Sequence, residues 1–305
     1  MIGKICGTGS GIPVKIMDND DLSNMVDTND AWIRERTGVE KRHIAESEST
    51  VSMAVEAGRK ALAQTGIRPE ELDMIVVSTM SPDAVLPCTA CEVQKAIGAE
   101  GAVCFDLQAA CTGFIFAYNT AQAYIQSNMC RTVLLIGSER LSRLVDWTDR
   151  GTCILFGDGA GAAVLKAAEG RAYLPVSHSD GKKGEALTCD RYIHMDGRAV
   201  FQFAVTRVPE VIREVLTKNE LLMDDIDYFV LHQANRRIVE AVAKRLRQPI
   251  EKFPMNLQEY GNTSSASIPI LLDEMNRSGK LKKGQKLVVA GFGAGLSWGA
   301  SIVEW

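Results

Sequence analysis

The 305-residue sequence lacks a surplus of positive charge and long apolar runs. Its formal net charge of −4 argues against nucleic-acid binding, because proteins that bind nucleic acids usually carry a net positive face. No apolar run approaches the length of a membrane span. Residues 1–6 begin a strand-like segment without the pattern of a signal peptide. We therefore expect a cytoplasmic protein that binds neither nucleic acid nor membrane.

The sequence also lacks a second pair of closely spaced cysteines, so no zinc-site spacing is present. Its eight cysteines are irregularly spaced and lie mostly in apolar runs, and a chain of this length needs no covalent cross-links. Cys88 and Cys91 form a single C-x-x-C motif at the start of a helical pattern, which is weak evidence for zinc. We expect reduced cysteines and no metal. Structural packing is favoured for this pair, with thiol redox chemistry as the alternative.

Cys111 is the most informative residue of the sequence. It stands between a strand-like run at residues 101–107 and a helical pattern that starts at once, and small residues surround it at 108–113 (QAACTG). A thiol at a helix N-terminus is favoured as the thiolate, which is the reactive form. The position therefore predicts a nucleophile. The alternative is a cysteine that is buried as a small apolar residue.

The sequence resembles itself when it is shifted by 154 positions. The shift aligns residues 72–77 with 226–231 and residues 133–137 with 287–291, without gaps. Two matches at one shift indicate an internal duplication. The strands are near-continuously apolar and alternate with helices, as in sheets that helices cover on both faces.

The duplication predicts two similar α/β halves, residues 1–170 and 171–305. Cys111 lies in the first half. Residues from about 17 to 49 have mixed charge and no counterpart in the second half. Because function concentrates in such connecting segments, this insertion is a candidate ligand-binding element.

The shift also places Cys111 on Ser265, three residues after Asn262 in another turn rich in small residues. His232 directly follows the predicted strand at 227–231. Equivalent strand ends of two packed α/β halves meet in one crevice. Cys111, His232 and Asn262 are therefore predicted to meet there.

At these residues the sequence resembles β-ketoacyl-[acyl-carrier-protein] synthase III, a condensing enzyme of the thiolase superfamily. The Cys-His-Asn set is similar to that of synthase III and plant-type polyketide synthases, whereas elongating synthases use Cys-His-His. The resemblance covers nearly the whole chain. Its motifs are residues 7–10 (GTGS), 26–33 (VDTNDAWI), 36–38 (RTG), the Cys111 turn, 156–163 (FGDGAGAA), 232–235 (HQAN), 261–264 (GNTS), 292–295 (FGAG) and 298–299 (WG).

This resemblance implies a thiolase-like fold with the two halves layered as αβαβα, and the initiating condensation of type II fatty acid synthesis. A short acyl group would pass from acyl-CoA to Cys111. Malonyl-acyl carrier protein would then lose CO2 and condense with it to give 3-oxoacyl-acyl carrier protein. The partners would be acyl-CoA, malonyl-acyl carrier protein and a second copy of the chain. No cofactor is expected, because acyl-CoA is a substrate.

The resemblance also implies roles for residues around the catalytic set. Backbone N–H groups of Cys111 and Ala294 would hold the oxyanion, and Phe292 would favour loss of the carboxylate. The family usually has glycine at the position of Ala294. It has Phe where this chain has Leu86, which would line the acyl pocket across the dimer interface. The smaller Leu86 predicts primers longer than acetyl.

Binding residues follow from the same resemblance. Trp32 and Arg150 would stack on opposite faces of the CoA adenine. The loop at 178–196 looks shorter than in the family, which affects the cover of the CoA site. The CoA-binding positions would be Thr28, Trp32, Arg36, Thr37, Arg150, Gly151, Phe156, Met195, Gly197, Phe201 and Asn235. The carrier protein would bind Gln233, Ala234, Asn235, Arg236, Arg237, Lys244 and Arg245, with Arg237 the strongest match.

Two other functions remain open. A related enzyme of secondary metabolism would use malonyl-CoA, and Arg237→Ala would then have little effect. A protein of another class would be a redox sensor built on Cys88 and Cys91, or a silent homologue that only binds acyl carrier protein.

The glycine-rich run at 156–161 predicts a tight hairpin between strands at 152–155 and 162–166.

Overall fold

The computed structural model describes residues 1–305 and alternates strands with helices along the chain. Short 3-10 turns at Ala110–Thr112 and Ser264–Ala266 precede two of the helices. None of the helices combines the length and apolar character that crossing a bilayer requires. The elements are β1 (Ile2–Gly11), β2 (Ile16–Asp18), α1 (Asn19–Ser23), α2 (Asp30–Thr37), β3 (Lys41–His43), α3 (Thr50–Thr65), β4 (Met74–Ser78), α4 (Thr89–Ile97), β5 (Val103–Leu107), α5 (Gly113–Gln126), β6 (Thr132–Glu139), α6 (Arg150–Cys153), β7 (Gly159–Ala168), β8 (Val176–Ser179), β9 (Leu187–Cys189), β10 (Ile193–Met195), α7 (Gly197–Lys218), β11 (Tyr228–Leu231), α8 (Arg236–Leu246), α9 (Leu257–Tyr260), α10 (Ser267–Arg277), β12 (Lys286–Gly293) and β13 (Ser297–Glu304).

Two mixed sheets form the centre of the fold. The first has the strand order β1-β7-β6-β4-β5, and the second has the order β8-β13-β12-β11. In the first sheet β4 is parallel to β5 and β6, whereas β7 is antiparallel to β1 and β6. In the second, β11 is parallel to β12, and β13 is antiparallel to β12 and β8. The second sheet thus repeats the first four strands, and β5 alone has no counterpart.

The 154-residue shift also holds for the turns before the central helices. It maps β6 onto β12, and the turn Ala110–Thr112 onto Ser264–Ala266. The equivalent residues Ala110 and Ser264 have φ values of 45° and 50°, which residues other than glycine rarely adopt. The predicted duplication is therefore confirmed down to the backbone conformation of one turn.

Helices separate and cover the two sheets. The central helices α5 and α10 form one apolar cluster with Val76 and Leu135 of the first sheet and Val230 and Val289 of the second. Helices α3 and α4 pack on the outer face of the first sheet, and α7 and α8 on that of the second. These layers confirm the predicted αβαβα arrangement, and they explain why β4 and β6 are buried at every position.

The insertion at 17–49 contains β2, α1, α2 and β3, and it packs on the chain segment that leads to β7. Leu22 and Ile33 share an apolar cluster with Phe156. The fully buried Arg42 donates hydrogen bonds to Asn19 and to the carbonyl of Ile154. Buried polar contacts of this kind hold the insertion in one position against the first half.

The predicted hairpin at 156–161 is wrong. Residues Arg150–Cys153 form helix α6 instead of a strand, because the Asp149 side chain accepts hydrogen bonds from the Gly151 N–H and the Thr152 hydroxyl and so caps the helix. The glycine-rich run carries the chain from α6 into β7. Phe156 makes an isolated bridge to Asn262 of the other half.

Candidate active site

Cys111 lies in the 3-10 turn between β5 and α5 and is buried. Strand β12 passes close beside it. A Cβ atom on Gly293 would lie 2.9 Å from the Cys111 backbone nitrogen, which is closer than real Cβ atoms approach, and 3.1 Å from the Cys111 Cβ, which is tighter than most real contacts. Strand β12 can therefore approach Cys111 this closely only because position 293 is glycine.

His232 follows β11, and its ring orientation is set by hydrogen bonds. Its Nδ1 lies 2.7 Å from the hydroxyl of Ser267, which also accepts the Gln233 N–H. Since that hydroxyl already accepts one hydrogen bond, its own proton is available to Nδ1. This network is compatible with the tautomer that accepts the Ser267 proton at Nδ1 and carries its own proton on Nε2. The histidine can then donate a hydrogen bond from Nε2.

Asn262 lies before the turn Ser264–Ala266, and its amide is oriented in the same way. Its Oδ1 accepts the backbone N–H of Ser264 at 2.8 Å. Because the oxygen is engaged, the Nδ2 group is left as the donor. His232 and Asn262 thus both present N–H donors, which is the arrangement that stabilises a developing oxyanion.

One cavity of about 240 Å³ holds the predicted catalytic residues and most predicted CoA contacts. Its predicted members are Cys111, His232, Asn262, Phe292, Ala294, Arg36, Thr37, Gly151, Phe156, Met195, Gly197, Phe201, Ala234 and Asn235. Three further members, Ala110, Ser264 and Gly293, lie in the motifs of the resemblance. The sequence did not point to the remaining members, which are Met80, Leu141, Ile154, Leu155, Leu187, Thr188, Cys189, Ile193, Val200 and Ile238. Most of these are apolar, and an apolar residue that lines a cavity has the same sequence pattern as one in the core.

Trp32 and Arg150 already contact each other without a base between them. The Arg150 guanidinium carbon lies 5.0 Å from the centre of the Trp32 ring, and that of Arg36 lies 5.8 Å from it. An inserted base needs roughly 7 Å, which is two contacts of about 3.5 Å. The predicted stack therefore requires Arg150 to move from the carbonyl of Asp27, to which it donates.

Two predicted CoA contacts have side chains that interact within the chain. The buried Thr37 hydroxyl donates to the carbonyl of Ile33, so it is not free to bind a phosphate. Asn235 caps α8 and also donates to the carbonyl of Arg36. Thr28, in contrast, has a buried hydroxyl without any partner, outside the cavity lining.

The predicted carrier-protein contacts divide into exposed and buried residues. Gln233 is 1% exposed, and its amide joins the carbonyl of Leu231 to the N–H of Asn256. The predicted contact of Gln233 with a carrier protein is therefore wrong. Arg237 is exposed and lies 5.4 Å from the ring of Phe201, which lines the cavity.

The other basic residues of this surface differ in what they contact. Arg236 pairs with Glu240, and Arg245 donates to the carbonyl of Val205. Lys244 is exposed.

Leu86 is 83% exposed and lies outside the cavity lining of its own chain.

The backbone around the cavity tolerates the departures from the family pattern. Ala294 is not among the residues with positive φ, so alanine there causes no strain. The loop at 178–196 forms a small hairpin of β9 and β10. Residues Leu187, Thr188 and Cys189 of this hairpin line the cavity.

Burial controls the protonation of the catalytic residues. It raises the pKa of the Cys111 thiol to about 12, and the charge of Glu139 acts in the same direction. Desolvation thus acts against the thiolate that the helix N-terminus favours. Burial lowers the pKa of His232 to about 3. The two side chains are both neutral at pH 7.

The low pKa of His232 predicts a loss of stability in acid. Unfolded chains protonate histidine near about pH 6.5, whereas folded His232 stays neutral down to about 3. The unfolded state thus binds more protons, and the free energy of unfolding should fall as the pH drops from about 6.5 towards 3. Urea titrations across this range should show a weaker pH dependence for His232→Gln than for the wild type. The exposed His194, changed to Gln, is the control; an equal change in both variants would contradict the prediction.

Comparison with known proteins gives the family. Residues 105–181 match the model described as 3-Oxoacyl-[acyl-carrier-protein (ACP)] synthase III, and residues 216–305 match its C-terminal model. The beta-ketoacyl-[acyl-carrier-protein] synthase III of Clostridium novyi is 47% identical, over 99% of this chain and 98% of that protein.

Solved structures agree with this match. The 3-oxoacyl-[acyl-carrier-protein] synthase III of Aquifex aeolicus superposes with a TM-score of 0.97 at 44% identity, covering 99% of this chain and 100% of that one. The priming β-ketosynthase of the R1128 polyketide pathway superposes with a TM-score of 0.95 at 36% identity, covering 99% and 96%. The chain belongs to the β-ketoacyl-[acyl-carrier-protein] synthase III family.

Proposed function

We propose that this protein is the acyltransferase that starts type II fatty acid synthesis by condensing a short acyl-CoA with malonyl-acyl carrier protein. The observation that carries the proposal is that the Cys111 thiol shares one cavity with two oriented N–H donors, those of His232 and Asn262. A nucleophile and two fixed donors are what acyl transfer followed by enolate formation requires.

In the first half-reaction Cys111 sulfur attacks the thioester carbonyl of acyl-CoA. The C–S bond to CoA breaks, the acyl group remains on Cys111, and the thiol proton ends on the CoA sulfur. The backbone N–H groups of Cys111 and Ala294 would hold the tetrahedral oxyanion. Both residues line the cavity, which supports this role.

In the second half-reaction the malonyl thioester loses CO2, and the electron pair passes to its carbonyl oxygen. His232 and Asn262 would stabilise this enolate through Nε2–H and Nδ2–H. Its carbon then attacks the acyl carbonyl carbon, the C–S bond to Cys111 breaks, and the Cys111 sulfur leaves as a thiolate that takes up a proton from solvent. The Phe292 ring lies 5.5 Å from the His232 ring and is buried. Such an apolar neighbour disfavours the charged carboxylate over neutral CO2.

The first half-reaction can be tested by intact-mass spectrometry after incubation with acetyl-CoA. We expect a gain of one acetyl group in the wild type and none in Cys111→Ala, because no other thiol lies beside two oriented donors. Cys189→Ala, which removes the other cysteine of the cavity, is the matched control and should keep the adduct. Turnover of acetyl-CoA without an adduct, or an adduct at another residue, would count against the proposal.

We also propose a homodimer, with β5 at the interface. Strand β5 is the edge of the first sheet, and its Val103 is 60% exposed. Unpaired strand edges readily pair with another chain. Val85 and Leu86 are 88% and 83% exposed, and burial against a partner would explain two such apolar side chains.

In this dimer Leu86 would close the partner's acyl pocket. Leucine is smaller than phenylalanine, so the wild type should accept butyryl- and isobutyryl-CoA as well as acetyl-CoA. Leu86→Phe should reduce kcat/KM for the two longer primers by about 10-fold or more and leave that for acetyl-CoA nearly unchanged. Leu86→Met, which nearly conserves volume, is the control. A strict acetyl-CoA preference of the wild type would refute this prediction.

The exposed basic residues of α8 support binding of an acidic carrier protein. Arg237 lies beside Phe201 at the cavity, where its positive charge would guide a negatively charged partner towards the thiol.

The proposed reaction requires no cofactor. The eight cysteines are free thiols, which supports the predicted cytoplasmic location.

A further inference from the structure

The backbone of Asn262 is held by a chain segment of the first half, residues 154–157. The Asn262 N–H donates to the carbonyl of Leu155 at 2.8 Å, and the Asn262 carbonyl accepts the N–H of Gly157 at 3.1 Å. These two hydrogen bonds pair Asn262 with Phe156. Because the asparagine side chain is short, the place of its amide in the cavity depends on where this segment lies.

Arg42 lies directly behind the pairing. Its guanidinium donates to the carbonyl of Ile154, the first residue of the segment, at 2.8 Å. Its Cβ would lie 3.1 Å from a Cβ atom on Gly157 and 3.4 Å from one on Gly261. One glycine follows the bridged residue of the segment, and the other precedes Asn262. The side chain of Arg42 therefore packs against both paired stretches of backbone.

The hydrogen-bond partners of Arg42 are neutral. The residue is 0% exposed, its other bonds go to the carbonyl of Met17 and the Oδ1 of Asn19, and its Nε has no partner. Burial of a charge without an opposite charge costs free energy, and it lowers the pKa of Arg42 to about 10. Apolar side chains fill such space at lower cost. What the guanidinium adds is the fixed position of the groups that it binds.

The residues on either side of Arg42 reach the same part of the second half. Lys41 forms an ion pair with Glu259 at 2.7 Å, and the ring of His43 stacks on that of Tyr260 with 5.5 Å between the ring centres. Both partners belong to α9, which leads to the asparagine of the site. Arg42 is thus the buried centre of a contact between the insertion and the approach to that asparagine.

We propose that Arg42 is a positioning residue that holds the amide of Asn262 in place for the malonyl half-reaction. The inference rests on the function proposed above. The guanidinium fixes the Ile154 carbonyl, the next residues of the segment pair with Asn262, and the Nδ2–H of Asn262 stays aimed at the enolate oxygen. Arg42 does not line the cavity and acts only through Asn262. Acyl transfer to Cys111 does not use this amide.

The test compares the two half-reactions of Arg42→Met, which keeps an unbranched side chain but removes the donors. CO2 release from malonyl-acyl carrier protein by the preformed acetyl-enzyme should fall by about 10- to 100-fold, because a displaced donor loses much of its effect on the transition state. Single-turnover acylation at saturating acetyl-CoA should be nearly unchanged. A merely structural role would lower both rates together, and equal losses would overturn the proposal.

A double-mutant comparison tests whether the effect passes through Asn262. In the Asn262→Ala background, Arg42→Met should cause little further loss of CO2 release, because the amide that it positions is already absent. The full loss in this background would overturn the proposal. Arg42→Lys keeps the charge and a donor but not the planar fork, so it should lose less CO2 release than Arg42→Met. It carries the same comparisons if Arg42→Met does not fold.

Arg140→Met is the matched control. Arg140 is also partly buried, its guanidinium donates to the backbone carbonyls of Ala45 and Glu46, and its Nε also has no partner. None of these contacts involves residues 154–157 or Asn262. Both half-reactions should stay near the wild-type rates. A loss of CO2 release as large as in Arg42→Met would overturn the proposal.

Hydrogen–deuterium exchange tests the positioning without any substrate. The amides of Gly157 and Asn262 form the two bonds of the pairing. In Arg42→Met, peptides that cover these two amides should exchange faster by about tenfold or more, while peptides of β6 should not change. Unchanged protection of the pairing would overturn the role of Arg42. Because this result does not require condensation, failure of the proposed function and failure of the positioning role are distinguishable.

Discussion

His232→Ala should lower the rate of malonyl decarboxylation and condensation by about 100-fold or more, the usual cost of losing one oxyanion donor, while acyl transfer to Cys111 persists. The ring is oriented by Ser267, so its Nε2–H is available to the enolate oxygen without reorganisation. In the proposed first half-reaction, backbone N–H groups would hold the oxyanion instead. The two half-reactions should therefore separate in this variant.

Single-turnover acylation and CO2 release measure the two steps separately. Asn262→Asp is the informative companion, because it keeps the shape of the side chain but replaces the donor by a negative oxygen that faces the enolate. It should reduce CO2 release at least as much as His232→Ala. An equal loss of acylation and decarboxylation in both variants would show that these residues position Cys111 rather than stabilise the enolate.

Gly293→Ala should abolish most acyl transfer. The added Cβ would lie 2.9 Å from the Cys111 nitrogen, 3.1 Å from its Cβ and 3.2 Å from the Thr112 nitrogen. These are mostly backbone atoms, so the whole turn must shift. Misplacing a reacting atom by about 1 Å can cost about 100-fold in rate, and overpacking should lower the free energy of unfolding by roughly 1–3 kcal/mol.

Gly101→Ala is the matched control for this steric argument. A Cβ at Gly101 would meet no atom within 4 Å, and its φ is not positive. Thermal unfolding and single-turnover acylation should be near wild type in this control. Acylation at the wild-type rate in Gly293→Ala would show that β12 can move away from the nucleophile.

The duplication could be read from the sequence because buried strands impose their own pattern. Strands β4 and β6 are covered on both faces, so they must be continuously apolar, and their copies keep that pattern at a constant spacing. The same shift paired Cys111 with Ser265. In the structure, however, the Ser265 hydroxyl lies 2.9 Å from both the Ser78 carbonyl and a Glu139 oxygen and does not line the cavity.

The contacts of single side chains were harder to predict from the sequence. The predicted hairpin failed because a capping carboxylate, that of Asp149, formed a helix where the apolar pattern indicated a strand. Gln233 belongs to a motif that includes surface residues, yet its own amide is buried between two backbone segments. The first case was decided by a local cap, since Gly151 and Thr152 lie two and three residues after Asp149. In the second case one partner of Gln233, Asn256, is 23 residues away, and one sequence contains no signal for such a pairing.

By itself, the sequence determined the two α/β halves, the family and the meeting of Cys111 with His232 and Asn262, because duplication and periodicity are recorded along the chain. Only the tertiary structure decided the chemical state of that site. Burial raises the pKa of the Cys111 thiol to about 12, and residues from both halves line the cavity around it. Desolvation and hydrogen bonds between distant residues depend on packing in three dimensions, and packing leaves no periodic pattern in the chain.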